Sequence, residues 1–241
     1  MLFAGIGTAL ATGLGAIPVF LLGERAAGLR PLLLGIAAGT MSVASIAGLL
    51  LPGLDEGSAA SVGSGLVVGV LFLMLARLAL DARQRHLQEA MSAGMRLSAL
   101  VFFVLLVHSL PEGFAIGTAY ASETAGLGLF VIIAIAVQNI PEGTSVAIPM
   151  AVAGFSRSRT FWAAVATSVP QPVGAVIAFL LVGEIEPLLP FSFGFAAGAM
   201  LALVFAELLP EALRGGRWLA AAIGVLLGGA GMLALSVLLG V

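Results

Sequence analysis

Val101-Phe102-Phe103-Val104-Leu105-Leu106-Val107-His108-Ser109-Leu110-Pro111-Glu112-Gly113 and Phe130-Val131-Ile132-Ile133-Ala134-Ile135-Ala136-Val137-Gln138-Asn139-Ile140-Pro141-Glu142-Gly143 carry one pattern twice. Each is an apolar run broken by a polar pair, a proline, a glutamate and a glycine. His108 and Glu112 are four residues apart, as are Gln138 and Glu142, so on a helix each pair projects from one face, one turn apart. Runs of this length and hydropathy span a bilayer, and both glutamates then sit about midway along their spans.

The rest of the chain agrees. Of 241 residues 61% are hydrophobic and 9% charged, with a mean hydropathy of +1.18, whereas about a quarter of the residues of a soluble domain are charged. Apolar runs of about 20 residues, the length that crosses a hydrocarbon core, fall at about 2–22, 31–51, 60–80, 97–120, 125–149, 160–182, 190–213 and 218–239. The expected fold is an all-α integral membrane protein of eight transmembrane helices, one domain over 1–241, with a cytoplasmic loop at about 81–96. The first run lacks a basic n-region and has full spanning length, so it reads as a helix rather than a signal peptide. With no cysteine, disulfides and thiolate ligands are excluded.

Lysine is absent, and the 10 positive side chains are all arginines. They follow spans one, three, five and seven, while the intervening loops hold only Asp55, Glu56, Glu123, Glu184 and Glu186. The positive-inside rule puts the arginines in the cytoplasm and both termini outside, in a cell (plasma or inner) membrane. Span two (Gly35-Ile36-Ala37-Ala38-Gly39-Thr40-Met41) is echoed in span seven (Gly194-Phe195-Ala196-Ala197-Gly198-Ala199-Met200). The two spans run in opposite directions, so helices 1–3 and 6–8 are expected to form an inverted repeat around helices 4 and 5.

A carboxylate at the bilayer centre costs about 2.5–3.5 kcal/mol on insertion scales. Two facing each other demand compensation, which a divalent cation supplies. Pro111 and Pro141 donate no backbone hydrogen bond and crowd the carbonyls of Val107 and Val137, which are expected to open beside the ligand side chains. The bland alternative, polar side chains bonding between helices, suits Ser109 or Ser145 alone better than two proline-glutamate repeats.

These motifs resemble those of the Zrt/Irt-like (ZIP) family of metal transporters, in the prokaryotic form, marked by a His-x-x-Pro-Glu-Gly element in the fourth helix and a related one in the fifth. The resemblance covers essentially the whole chain. It implies a metal site of His108, Glu112, Gln138 and Glu142, with Met41 as a thioether nearby. Where many members hold a second metal this chain has Ser109, Asn139 and Gln171, all neutral, so one metal per site is expected. Glu207 and Glu211 near the end of span seven fall on the implied exit route, and His86 in the cytoplasmic loop is a candidate for passing metal onward. The resemblance further implies alternating access by helices 1, 4, 5 and 6 against the others, which commonly also form a homodimer.

The expected function is transport of a divalent transition metal into the cytoplasm, zinc foremost, with Fe, Mn or Cd also suited to one imidazole, one amide oxygen and two carboxylates. The metal is cargo and no cofactor is expected. The other partner is the lipid bilayer, and no nucleic acid is expected. A gated channel on the same site, a metal sensor and an intramembrane metallohydrolase stay open at this point. The last wants a set such as His-Glu-x-x-His, which does not occur.

Overall fold

The computed structural model describes the backbone of residues 1–87, 93–185 and 187–241, and within these the side chains apart from residues 24, 81, 83–87, 93–101, 103–104 and 215. Among the described residues all regular structure is helical. It gathers into α1 (Leu2–Leu22), α2 (Arg25–Glu56), α3 (Ala59–Leu87), α4 (Ala93–Ala121), α5 (Leu127–Val152), α6 (Arg157–Glu184), α7 (Leu188–Leu213) and α8 (Trp218–Leu239). Seven of these, all but α4, are long and apolar enough to cross a membrane over their described residues. Within the stretch expected as a loop at about 81–96, the described residues are helical to Leu87 and from Ala93, and 88–92 lie outside the described residues.

The prolines act elsewhere than expected. α4 and α5 run unbroken through Pro111, Pro141 and Pro149. The irregularities fall at Gly15 in α1, at Ser168-Val169 ahead of Pro170 in α6, and at widened π-turns over Ile46–Leu50 in α2 and Val204–Leu208 in α7. Each π-turn precedes a Leu-Pro pair, Leu51-Pro52 or Leu209-Pro210. A proline ring clashes with the carbonyl four residues back, and widening that turn relieves the clash.

Glycines set the helix pairing. A Cβ on Gly35 or Gly39 would collide with the backbone of α8 at Ala221 or Val225, and one on Gly224 or Gly228 with α2 at Leu32 or Ile36. Gly65 and Gly69 press likewise on Phe191 and Phe195 of α7, and Gly194 and Gly198 on Val62 and Leu66 of α3. In a bilayer, where apolar burial does not drive helices together, such close approach is the main source of packing energy. Residue numbers climb together in both interfaces, so α2 lies parallel to α8 and α3 parallel to α7. The same holds for α4 on α6, through Gly113 at Gln171 and Gly117 at Ala175, and for α1 on α5, through Thr8 at Asn139 and Thr12 at Gly143.

The connections sort to two ends. At one, Arg30 of α2 and Arg214 both bind Glu211, at 2.8 and 2.7 Å, Arg217 donates to the Gly28 carbonyl at 2.6 Å, and Arg157 lies over the Phe20 ring. At the other, Ser122 donates to Glu56 at 2.7 Å, and Gly126 abuts the C-terminal Leu239. The core between the ends is fully buried Phe130, Phe193, Met41, Leu49, Ile116 and Ile135, and the site lies beside it.

Candidate metal site

α4 brings His108 and Glu112 to the interior, α5 brings Gln138 and Glu142, and all are at most 4% exposed. Gly113 and Gly143 make this possible. Each follows its glutamate and lies against the backbone of a neighbour, α6 at Gln171 and α1 at Thr12, where a side chain would hold the helices apart. The carboxyl groups of Glu112 and Glu142 interact electrostatically with each other.

Glu112 is fully served by amides. Its Oε1 accepts from Gln138 Nε2 at 2.8 Å and its Oε2 from Gln171 Nε2 at 2.6 Å. Gln171 and Asn139 bond reciprocally, Asn139 Nδ2 to Gln171 Oε1 at 3.1 Å and Gln171 Nε2 to Asn139 Oδ1 at 3.3 Å, and Asn139 Nδ2 also donates to the Thr8 carbonyl at 2.8 Å. Beside this group stand buried atoms without a hydrogen-bond partner: Gln138 Oε1, Glu142 Oε1 and His108 Nδ1. All can present a lone pair. A buried acceptor left unpaired carries a desolvation cost of about 1–3 kcal/mol, so these atoms gather where a ligand would repay it.

His108 turns its Nε2 toward Glu207 of α7, 3.6 Å away, rather than toward Glu112. Among the described residues no group of three or more His, Asp or Glu side chains is arranged to hold a metal. The ligand types that do meet are two carboxylates and an amide. Met41 is fully buried and lines a narrow gap with His108, Pro111, Leu73, Leu203 and Met200.

Of the other residues singled out, Ser109 donates to the Leu105 carbonyl of its own helix at 3.0 Å and stays out of the site. Glu211 has both oxygens engaged by Arg30 and Arg214. The side chain of His86 lies outside the described residues. Glu207 meets Arg77 of α3, whose Nε is 3.6 Å away and whose Nη1 donates to the Ala206 carbonyl at 3.0 Å. Ala206 is four residues before Pro210, so Arg77 takes up the carbonyl that the proline ring frees. Arg77, Thr8, Thr12 and Met200 were not foreseen as site neighbours. Only Met200 had left a trace, as the counterpart of Met41 in the glycine echo.

A family model described as ZIP zinc transporter matches residues 76–236, about two thirds of the chain. The chain belongs to the ZIP family. Similar ZIP proteins include zinc transporter ZIPB of Bordetella bronchiseptica, 35% identical over a 242-position alignment that covers 95% of this chain and 78% of the relative. Zinc transporter GufA of Myxococcus xanthus is 33% identical over a 232-position alignment that covers 89% of each chain. An Arabidopsis thaliana protein is 39% identical over 210 residues, but this chain spans only 33% of its length. The bacterial relatives mark the chain as a ZIP protein of prokaryotic type, a transporter rather than an enzyme.

Proposed function

We propose that this ZIP protein carries a divalent transition metal, zinc foremost, from the outside to the cytoplasm, one ion at a time, through a site on α4 and α5. The reading is carried by two acids, Glu112 and Glu142, buried on the paired helices α4 and α5 where each feels the other's charge. Two anions so placed in a low dielectric repel strongly, and a dication between them reverses the sign of the interaction. Glu142 Oε1, Gln138 Oε1, a Glu112 oxygen and a nitrogen of His108 form the ligand set, with Met41 beside it. The names of GufA and ZIPB favour zinc. The neutrality of Ser109, Asn139 and Gln171 favours a single ion.

Eight crossings in one domain, with an inverted repeat, are part of this reading. Parallel packing of α1 on α5 needs an odd number of alternating crossings between them, and α2, α3 and α4 supply it. The pairs Thr12 and Gln171, Gly15 and Gly174, Gly35 and Gly194, Gly39 and Gly198, Gly65 and Gly224, and Gly69 and Gly228 share one constant sequence offset and matching contacts. This favours helices 1–3 and 6–8 as halves of one plan. The arginine-bearing end faces the cytoplasm. The ion leaves past His108 and Glu207, while Glu211 and His86 lie further out. α1, α4, α5 and α6 move against the other four helices, which also provide the dimer surface.

Uptake by reconstituted protein tests this. Zinc influx should saturate with concentration and fall at least about a hundredfold in the Glu112→Ala, Glu142→Ala double variant. Metal binding needs deprotonated ligands, so apparent affinity should drop by about tenfold or more between pH 8 and pH 5. Uptake by the double variant equal to the parent would sink the site, and linear, non-saturating flux would favour a channel.

A further inference from the structure

The amide groups around Glu112 differ in how freely they can turn. The Thr8 carbonyl belongs to the backbone and can only accept, so Asn139 must face it with Nδ2, at 2.8 Å. The other hydrogen of that Nδ2 goes to Gln171 Oε1 at 3.1 Å, which obliges Gln171 to turn its Nε2 the other way. Gln171 Nε2 then spends its hydrogens on Asn139 Oδ1 and on Glu112 Oε2, the latter at 2.6 Å. All hydrogens of both amides are committed, and both side chains are fully buried. Turning Gln171 over would require turning Asn139 over, pressing Oδ1 against the Thr8 carbonyl, acceptor to acceptor.

Gln138 stands outside this constraint. It spends one hydrogen on Glu112 Oε1 at 2.8 Å, and its Oε1 has no partner. That oxygen can therefore face an ion while Nε2 keeps its bond to Glu112.

We propose that Thr8, Asn139 and Gln171 form an orienting relay that holds Glu112 by its Oε2 and fills the second cation place with fixed N–H donors, so that Gln138 is the one amide able to ligate the transported ion. Asn139 and Gln171 are positioning residues. The side they present to the site carries positive hydrogens, which repel a cation and fix the carboxylate plane by its Oε2. The relay rests on the proposed ion site at Glu112 and Glu142.

The test is the number and affinity of zinc ions bound by the purified full chain, measured by equilibrium dialysis with elemental analysis. Size-exclusion profiles and thermal unfolding confirm that each variant is folded. The parent should bind one ion. Gln171→Glu keeps the shape and the bond from Asn139 but exchanges the donor for a third carboxylate, and should bind two. Gln171→Met should keep one ion, with affinity weaker by about tenfold to a hundredfold, the usual cost of losing a partner behind a metal ligand. Asn139→Leu should weaken the parent similarly and have no further effect in the Gln171→Met background, since it acts only through Gln171.

One ion in Gln171→Glu, parental affinity in Gln171→Met, or additive losses in the Asn139→Leu, Gln171→Met pair would each overturn the relay. Unchanged zinc binding in the Glu112→Ala, Glu142→Ala double variant would overturn the ion site itself, and so separates the two failures. If Gln171→Met does not fold, the isosteric Gln171→Glu decides alone.

Discussion

Glu112 and Glu142 occupy matching places on α4 and α5. Each stands one residue before a glycine that lies against a parallel neighbour, α6 for Gly113 and α1 for Gly143. What the neighbours contribute differs. α6 offers Gln171, which bonds Glu112, whereas α1 offers Thr12, whose hydroxyl pairs with Ser168 at 2.6 Å and does not reach Glu142. One backbone plan used twice therefore yields one carboxylate with an amide on each oxygen and one with an unpartnered oxygen. Symmetry brings two acids together, and the break in symmetry gives them different hydrogen-bond surroundings.

The largest expected effect separates the two acids. Glu142→Gln converts the open oxygen side into a neutral amide and should reduce zinc uptake at least about a hundredfold. Glu112→Gln leaves Glu142 to hold the ion and should cost about tenfold less than that. Dose–response curves in proteoliposomes measure both, and equal losses would show that the difference in hydrogen bonding has no functional weight.

Next come the glycines, where the halves should behave alike. Gly113→Ala and Gly143→Ala each push a methyl group into backbone, an overpacking that costs about 1–3 kcal/mol. Both should lower the unfolding temperature by similar amounts. A large drop in one alone would mean that only one helix pair is rigid.

Thr12 and Gln171 sharpen the contrast on the neighbouring helices. Thr12→Val keeps the shape and removes the bond to Ser168, a loss of about 1 kcal/mol of stability, while zinc affinity should stay within about twofold. A tenfold loss of affinity would place α1 as close to the ion as α6.

How far these distinctions could be read beforehand depends on their physical origin. Span number and position rest on hydropathy, which the bilayer reads directly, so α5 and α8 fall within a few residues of expectation. The proline effects were misplaced because Pro111 and Pro141 look equivalent to Pro52 and Pro210 in sequence. Tertiary packing alone decides that the first pair stays within regular helix while the second widens a turn and gives Arg77 a carbonyl. The burial of Glu112 and Glu142 was legible from their place within apolar runs. The direction of each amide was not, because Asn139 is oriented by the Thr8 carbonyl, a backbone atom more than a hundred residues away that every residue type carries.

The smallest effect concerns the methionines. Met41 and Met200 share the constant offset of the glycine pairs, and both line the gap beside His108. If they were equivalent, a soft ion would respond to either. Met41 belongs to α2, which packs on α5 and hence on the half with the open oxygen, whereas Met200 belongs to α7, which packs on α4. Replacement of methionine by leucine conserves volume and costs under about 1.5 kcal/mol in packing, so a change in metal preference isolates the sulfur. Met41→Leu should weaken cadmium binding about threefold and leave zinc within about twofold, since the thioether favours the softer ion. Met200→Leu should leave both unchanged. Competition binding of the two metals measures the ratio directly, and an equal shift in the two variants would mean that the ion sits on the axis between the halves rather than toward Glu142.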